Sequence, residues 1–434
     1  MRANLTNKKT MLRFLYTLFM YGIQPIILLF MLIRSLKSPQ YRQRLGERYG
    51  CYSHIRPPKP NGIIIHAASV GEVIAATPLV KRIQQQYPDL PITFTTVTPT
   101  GSDRVISAFG HQVNHLYLPY DLPFVIRRFI DFVQPKLCIV IETEIWPNLI
   151  RQLRLRHIPF IIANARLSPR SAKRYGWVKG RFQNILKDIE LITPQDQVSG
   201  NRYLTLGYPK EKLKLTGNIK YDLTISHRLQ EKINGLKTLW NDRLVWVAGS
   251  THEGEDDIIL QTHQQLLAQY PNLLLILVPR HPERFNTVEE LIEKMGFHYC
   301  RRSKNILPNP NIQVVLGDTM GELMLLYGLA DVAFVGGSLV KHGGHNPLEP
   351  LAFKCPIISG QYTFNFPEIF EQLLNVQGVI EVNSDVQSLK SAVDFLLNSE
   401  EKRHQYGEAG FKVLMENRGA LDRLLQLLQP YLEQ

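Results

Sequence analysis

The chain has 434 residues, 44% of them apolar and 20% charged, with a formal net charge of +12. That length exceeds one ordinary core and that composition is too apolar for a disordered chain, so two domains are expected, and the basic surplus points to an anionic partner: nucleic acid, an acidic membrane surface or a phosphorylated ligand. The four cysteines, Cys51, Cys138, Cys300 and Cys355, are far apart and form no CxxC pair, which argues against a disulfide framework or structural zinc and fits a reducing compartment.

In chain order, the first element is apolar. Phe14 to Ile33 carries no charge, and about 20 such residues suffice to span a bilayer. Lys8, Lys9 and Arg13 precede it; Arg34, Lys37, Arg42 and Arg44 follow. Leu32-Ile33-Arg34-Ser35 offers no small-residue cleavage site, so an uncleaved membrane anchor is expected rather than a signal peptide or a buried core helix. Gln24 and Pro25 interrupt the run and leave a tilted or half-inserted anchor open. The basic downstream flank favours a cytoplasmic catalytic part.

From Gly62 onward strands and helices alternate. Ile63, Ile64 and Ile65 read as a fully buried strand that stops at Ser69 and Gly71, and Val73 to Gln86 has helical spacing. Glu72 therefore sits just past a strand end at the mouth of a helix, either as a helix-start residue or as a catalytic base. Further strands are expected at Ile92–Val97, Leu116–Leu118, Leu137–Ile141, Phe160–Ala163 and Leu191–Thr193. This is the pattern of a doubly wound parallel sheet. Glu142-Thr143-Glu144 follows one of these strands, and two carboxylates at strand ends can divide base and stabilising work. A helix-start acid or an arginine partner is an equal reading of Glu142. Between Arg166 and Arg181 lie Arg170, Lys173, Arg174 and Lys179 with no acid, interleaved with Tyr175 and Trp177. Such a patch suits nucleic acid, a membrane headgroup region or a solvated face. Beside an apolar N-terminus, a membrane or phosphorylated lipid is preferred and nucleic acid is not expected.

After a polar stretch from Gly217 to Asp242 the alternation restarts, with strands expected at Leu244–Ala248, Leu273–Val278, Gln313–Leu316, Val332–Val335 and Pro356–Ile358. No G-x-x-x-x-G-K-[ST] or H-E-x-x-H occurs, which disfavours a P-loop ATPase and a zincin. Val335 to Pro350 carries four glycines with Lys341, His342 and His345 before Asn346 and Pro347. Asn346 is expected to cap a helix with Glu349 reaching back, and the glycines to let a phosphate approach free N–H groups. Ser250-Thr251-His252-Glu253, Arg280-His281 and Gly317 to Glu322 are polar turns expected on the same sheet edge.

His66-Ala67-Ala68-Ser69-Val70-Gly71-Glu72, Glu142-Thr143-Glu144-Ile145-Trp146-Pro147-Asn148, Asn164-Ala165-Arg166-Leu167-Ser168, Gly217-Asn218-Ile219-Lys220-Tyr221-Asp222 and the Gly336–Pro350 loop stand in one order. Together they resemble the lipid A Kdo transferases, membrane-anchored glycosyltransferases of the GT-B class, over nearly the whole chain. The resemblance implies inverting transfer of 3-deoxy-D-manno-octulosonic acid (Kdo) from a CMP-Kdo donor to a tetra-acylated lipid A precursor, in lipopolysaccharide core biosynthesis. It implies Glu72 as general base, Glu142 and Lys220 as transition-state stabilisers, and CMP contacts from Pro279 and Arg280, from Met320, Gly321 and Glu322, and from Asn346, Pro347, Leu348 and Glu349. Arg166, Arg170, Lys173 and Arg174 are candidates for the acceptor's phosphates, on their charge alone. No acidic cluster beside the phosphate loop suits Mg²⁺, so transfer without metal or other cofactor is expected.

The expected architecture is α/β of GT-B type, two Rossmann-like domains facing a cleft, with an N-terminal hydrophobic anchor helix. Residues 1–36 are read as the anchor, 37–222 as the acceptor domain, 223–242 as a linker and 243–434 as the CMP-Kdo-binding domain, with the last helix free to pack back on the first domain. The expected location is the cell inner membrane, catalytic domains on the cytoplasmic side. Rival readings are a GT-B transferase using another nucleotide sugar, a sugar-nucleotide epimerase, which has no use for an anchor or a basic aromatic patch, and a non-catalytic protein binding anionic lipid, which leaves Glu72 and the glycine-rich loop without purpose.

Overall fold

The computed structural model describes residues 15–177, 179–239, 243–304 and 309–433. The chain divides into two compact units. The first runs to Asp222 and takes back Arg418–Gln434; the second is Leu223–Asn417. Residues 223–242, read as a linker, contain the helix His227–Leu239, which buries Ile233 in the second unit.

The first unit is built on six parallel strands, β1 (Gly62–His66), β2 (Ile92–Thr96), β3 (Asn114–Tyr117), β4 (Pro135–Ile141), β5 (Phe160–Ala165) and β6 (Leu191–Pro194), in the order β3-β2-β1-β4-β5-β6. Helices cover both faces, so β-branched runs such as Ile63-Ile64-Ile65 are wholly buried instead of alternating. One face packs the helix Val70–Gln86 and the last helix, Ala420–Leu432, with Leu424 and Leu428 seated beside Leu79 and Ile83 in one cluster. Both carboxylate oxygens of Asp222 hold the start of that last helix, accepting from the N–H groups of Gly419 and Leu421 at 2.6 Å each.

The apolar N-terminal helix, Leu15–Leu36, shows two faces. Met20, Met31 and Ser35 are buried, and Tyr16 donates to Asp121 at 2.9 Å. Asp121 also accepts from the N–H groups of Asn148 and Leu149, and so caps the helix Pro147–Leu155. Leu18, Phe19, Ile26, Leu29, Phe30 and Ile33 are exposed. That is a large apolar surface for water to cover.

The second unit has seven parallel strands: β7 (Val245–Thr251), β8 (Leu274–Pro279), β9 (Tyr299–Arg301), β10 (Val314–Leu316), β11 (Val332–Val335), β12 (Ile357–Gly360) and β13 (Val379–Val382). Their order is β13-β12-β11-β7-β8-β10-β9. The two strands that the sequence did not indicate, β9 and β13, are the two edges of this sheet. Edge strands are short and half wet, so Arg301 and Glu381 break the apolar runs by which buried strands are recognised.

Candidate functional site

In each sheet one pair of neighbouring strands marks a reversal of strand order, and the loops that follow them part to leave a crevice at the carboxyl ends. In the first unit these strands are β1 and β4. Glu72 follows the first and Glu142 the second.

Ser69 caps the helix Val70–Gln86, its Oγ accepting from the Glu72 N–H at 3.3 Å. The Glu72 carboxylate folds back, accepting from Ser69 Oγ at 3.1 Å and from the Ala68 N–H at 2.6 Å. The helix-start reading of Glu72 is therefore realised in full. Those bonds favour the ionised carboxylate and pull its pKa down, but they are outweighed. Burial first, and then the Glu142 charge, hold the Glu72 carboxyl above the usual range against the Ala68, Ser69 and Lys220 contributions. Glu144, which the sequence only paired with Glu142, is pushed up to about 7 by burial and by Glu72.

Glu142 has a left-handed backbone, φ 61°, and its carboxylate pairs with Lys220 at 2.6 Å; about a fifth of each side chain is exposed. Lys220 lies in the short turn Ile219–Tyr221. Asn218 holds that turn by accepting from the Lys220 N–H at 3.0 Å, and Asn164, at the end of β5 with φ 53°, accepts from the Ile219 N–H at 3.0 Å. The Asn164 motif was legible in the sequence, but its part in fixing Lys220 was not, because 55 residues separate the partners.

In the basic segment, Ser168 caps the helix Pro169–Gly176. Arg170, Lys173 and Arg174 are exposed and Arg166 is half-buried. Tyr175 is not a free aromatic platform, since its ring stacks on Phe182 at 4.2 Å; Trp177 is 78% exposed. Val178 lies outside the described residues, as do the side chains of Lys179 and Arg181.

In the second unit the reversal falls between β7 and β11. The three turns after β7, β8 and β11 are brought together there. The Arg280 N–H donates to the Thr251 carbonyl at 3.0 Å. Arg284, unforeseen, donates to the same carbonyl at 2.9 Å and pairs with the buried Asp256. His252 is buried, with its Nε2 2.8 Å from Nε2 of His345.

In the glycine-rich loop after β11, three successive N–H groups have a partner within the chain. Fully buried Glu255 accepts from Gly337 at 2.7 Å, Ser338 at 3.0 Å and Leu339 at 2.9 Å, and from the His252 N–H at 2.8 Å. The chain supplies its own anion to this nest. The signal was present in Thr251-His252-Glu253-Gly254-Glu255, since a glutamate three residues on can reach back to a helix-start N–H. The helix expected at Asn346 is one turn, Leu348–Leu351, with Pro347 at its cap; Asn346 Oδ1 accepts from the Leu348 N–H at 3.2 Å. Leu348 is buried and Glu349 half-buried. Pro279 ends β8; Met320 is 63% exposed and Gly321 has φ 83°. Glu322 pairs with Arg302 at 3.0 Å and accepts from Thr319 at 2.5 Å.

Two family models match the chain: 3-deoxy-D-manno-octulosonic-acid transferase (kdotransferase) over residues 43–223 and glycosyl transferases group 1 over residues 250–413. A 3-deoxy-D-manno-octulosonic acid transferase of Haemophilus influenzae is 66% identical over 424 residues, 98% of this chain and 99% of its own. Its counterpart from Bordetella pertussis is 32% identical over 97% of this chain and 99% of its own. Among solved structures, a UDP-GlcNAc 2-epimerase from Neisseria meningitidis bound to UDP-GlcNAc superposes with a TM-score of 0.57. It covers 85% of this chain and 100% of its own at 15% identity, a likeness of fold alone.

The Glu255 cage makes a direct prediction. Glu255→Gln keeps the shape but turns one acceptor oxygen into a donor facing backbone N–H groups. Loss of about 2–4 kcal/mol is expected. Hydrogen exchange should rise at Gly337, Ser338 and Leu339 ahead of the β11 core; unchanged protection there would refute the cage.

Proposed function

The chain belongs to the 3-deoxy-D-manno-octulosonic acid (Kdo) transferase family and is a glycosyltransferase of the GT-B class, and from that premise we propose that it moves Kdo from CMP-Kdo to a lipid A precursor with inversion at the anomeric carbon. The observation that carries this reading is the Glu72 carboxylate at the β1–β4 reversal, fixed by Ala68 and Ser69 and held above its usual pKa. A carboxylate so raised is a stronger base than an ordinary one and is suited to take the proton of an attacking sugar hydroxyl. Lys220, locked to Glu142, supplies positive charge beside it.

The donor is assigned to the second unit. Pro279, Arg280, Met320, Gly321, Glu322, Asn346, Pro347, Leu348 and Glu349 are its proposed contacts. Arg280 and the imidazoles around it meet the phosphate. Because the N–H groups of Gly337, Ser338 and Leu339 already bind Glu255, side chains and not that nest hold the anion in this reading. Arg280 offsets the donor's negative charge within the second unit in this reading. The exposed Arg170, Lys173 and Arg174, with half-buried Arg166, are the proposed seat of the acceptor's phosphates.

We place the enzyme on the cytoplasmic face of the inner membrane. Tyr16 near one end of the apolar helix meets the first unit, and Met31 and Ser35 near the other end are buried. With its Tyr16 end fixed on Asp121, the helix lies along one leaflet in this reading, its exposed apolar face in lipid.

Three outcomes are expected. Glu72→Gln should lower kcat by about 10²–10⁴-fold while CMP-Kdo binding by calorimetry stays near normal; in the unaltered enzyme kcat/KM should fall as pH drops through the raised Glu72 pKa, since the protonated acid accepts no proton. Turnover within a few-fold of normal in that variant would sink the assignment. Charge reversal of Arg170 and Lys173 together should raise the acceptor KM by about tenfold or more and leave the donor KM unchanged; an unaltered acceptor KM removes the patch from the site. Finally, a protease site added before residue 1 should be cut from the cytoplasmic side of sealed vesicles, and cutting from the opposite side alone would mean that the helix crosses.

A further inference from the structure

Four imidazoles converge at the reversal of the second sheet, and none belongs to the contacts that the motifs supply. His252 follows β7, His281 follows β8, and His342 and His345 follow β11. The His252 and His345 rings lie parallel to within 4°, with Nε2 atoms 2.8 Å apart. His342 stacks on His252 at 4.1 Å, and His281 meets it edge-on at 5.4 Å. Gly337 makes room: at φ 71°, a Cβ there would sit 3.1 Å from the His345 ring.

A contact of 2.8 Å between two ring nitrogens requires one N–H and one lone pair. The neutral pair thus holds one bridging proton. One more proton, on the outer Nδ1 of the donating ring, makes a cation and keeps the bridge. A second would turn two N–H groups on each other and break it. The pair's capacity is one proton.

The charges facing it are mostly of one sign. Burial first, and then His342, His281, Arg284 and Arg280, hold His252 down at about 4; burial first, and then Arg280 and the neighbouring imidazoles, hold His345 at about 3. Glu255 beneath the loop is engaged by backbone N–H groups, Asp256 is paired with Arg284, and Glu283 acts on His281. The His252–His345 pair is therefore neutral at pH 7 until an anion reverses the local field.

We propose that the His252–His345 pair is a proton-accepting site for the nucleotide phosphate, taking up one proton as the anion is seated. The proposal rests on the donor reading above, since His281 and His345 are chain neighbours of Arg280 and Asn346. In the transfer step the bond from the anomeric carbon to the phosphate oxygen breaks and its electron pair stays on that oxygen. The acceptor oxygen forms the new bond and gives its proton to Glu72. The phosphate passes from one negative charge to two, and the imidazolium faces the second.

The test is calorimetric titration of the full chain with CMP near pH 8, in buffers of differing ionisation enthalpy. Free CMP is then a dianion, because phosphate monoesters have a second pKa of about 6. Uptake of about 0.5–1 proton per CMP is expected, with Kd rising up to about tenfold per pH unit. In His252→Asn and in His345→Asn, CMP should bind more weakly at pH 7, still measurably, and uptake should fall close to zero. Binding without uptake in the unaltered protein overturns the proposal and leaves the donor site standing. Undiminished uptake in both variants puts the proton elsewhere and overturns it too. No CMP binding by the unaltered protein would remove the donor reading itself, and the proposal with it.

Discussion

A parallel sheet wound from the inside outward must reverse direction once, and everything chemical in this chain depends on that. The two strands at the reversal end side by side, yet their loops depart to opposite faces, so polar backbone and side chains gather where no helix covers them. The first unit reverses between β1 and β4, the second between β7 and β11. Groups collected in this way are partly or wholly buried and need partners, because an ion withdrawn from water costs several kcal/mol when unpaired. Lys220 answers Glu142 in the first unit; four backbone N–H groups answer Glu255 in the second.

Glu72 and Glu255 show how similar positions part in chemistry. Each follows the first strand of its sheet at the mouth of a helix, and each reaches back to a backbone N–H. Glu255 is fully buried and its acceptor capacity is taken up by four N–H groups, so it acts as a fixed internal counter-ion for a loop. Glu72 has one N–H and one hydroxyl, and retains part of its surface in the crevice. The two carboxylates thus differ in how many donors engage them and in how much of each is left exposed.

What could be read in the sequence follows from the range over which each interaction acts. Buried strands declare themselves by unbroken Ile, Leu and Val, and the six strands of the first sheet and the inner ones of the second were legible for that reason. Tyr299–Arg301 and Val379–Val382, at the edges, were not. The turns bearing Glu72, Glu142, Arg280 and Asn346 were legible because small and polar residues end apolar runs abruptly. Contacts between distant segments were hidden: Lys220 with Glu142, Asn164 with Ile219, Glu255 with the loop some 80 residues later, and His252 with His345. The glycines of that loop invited a phosphate on composition alone, and only the three-dimensional path shows that a carboxylate of the same chain fills the place.

The return of the last helix to the first unit also sets an order of events at the ribosome. Leu424 and Leu428 belong to the same apolar cluster as Leu79 and Ile83, and Asp222 holds the helix start. A chain made from its N-terminus presents the apolar helix and then a first unit with one flank of its core uncovered. The whole second unit is made before residues 420–432 arrive to cover it. The earlier half to be synthesised is thus the later to close, and an apolar flank stays bare through the translation of some two hundred residues.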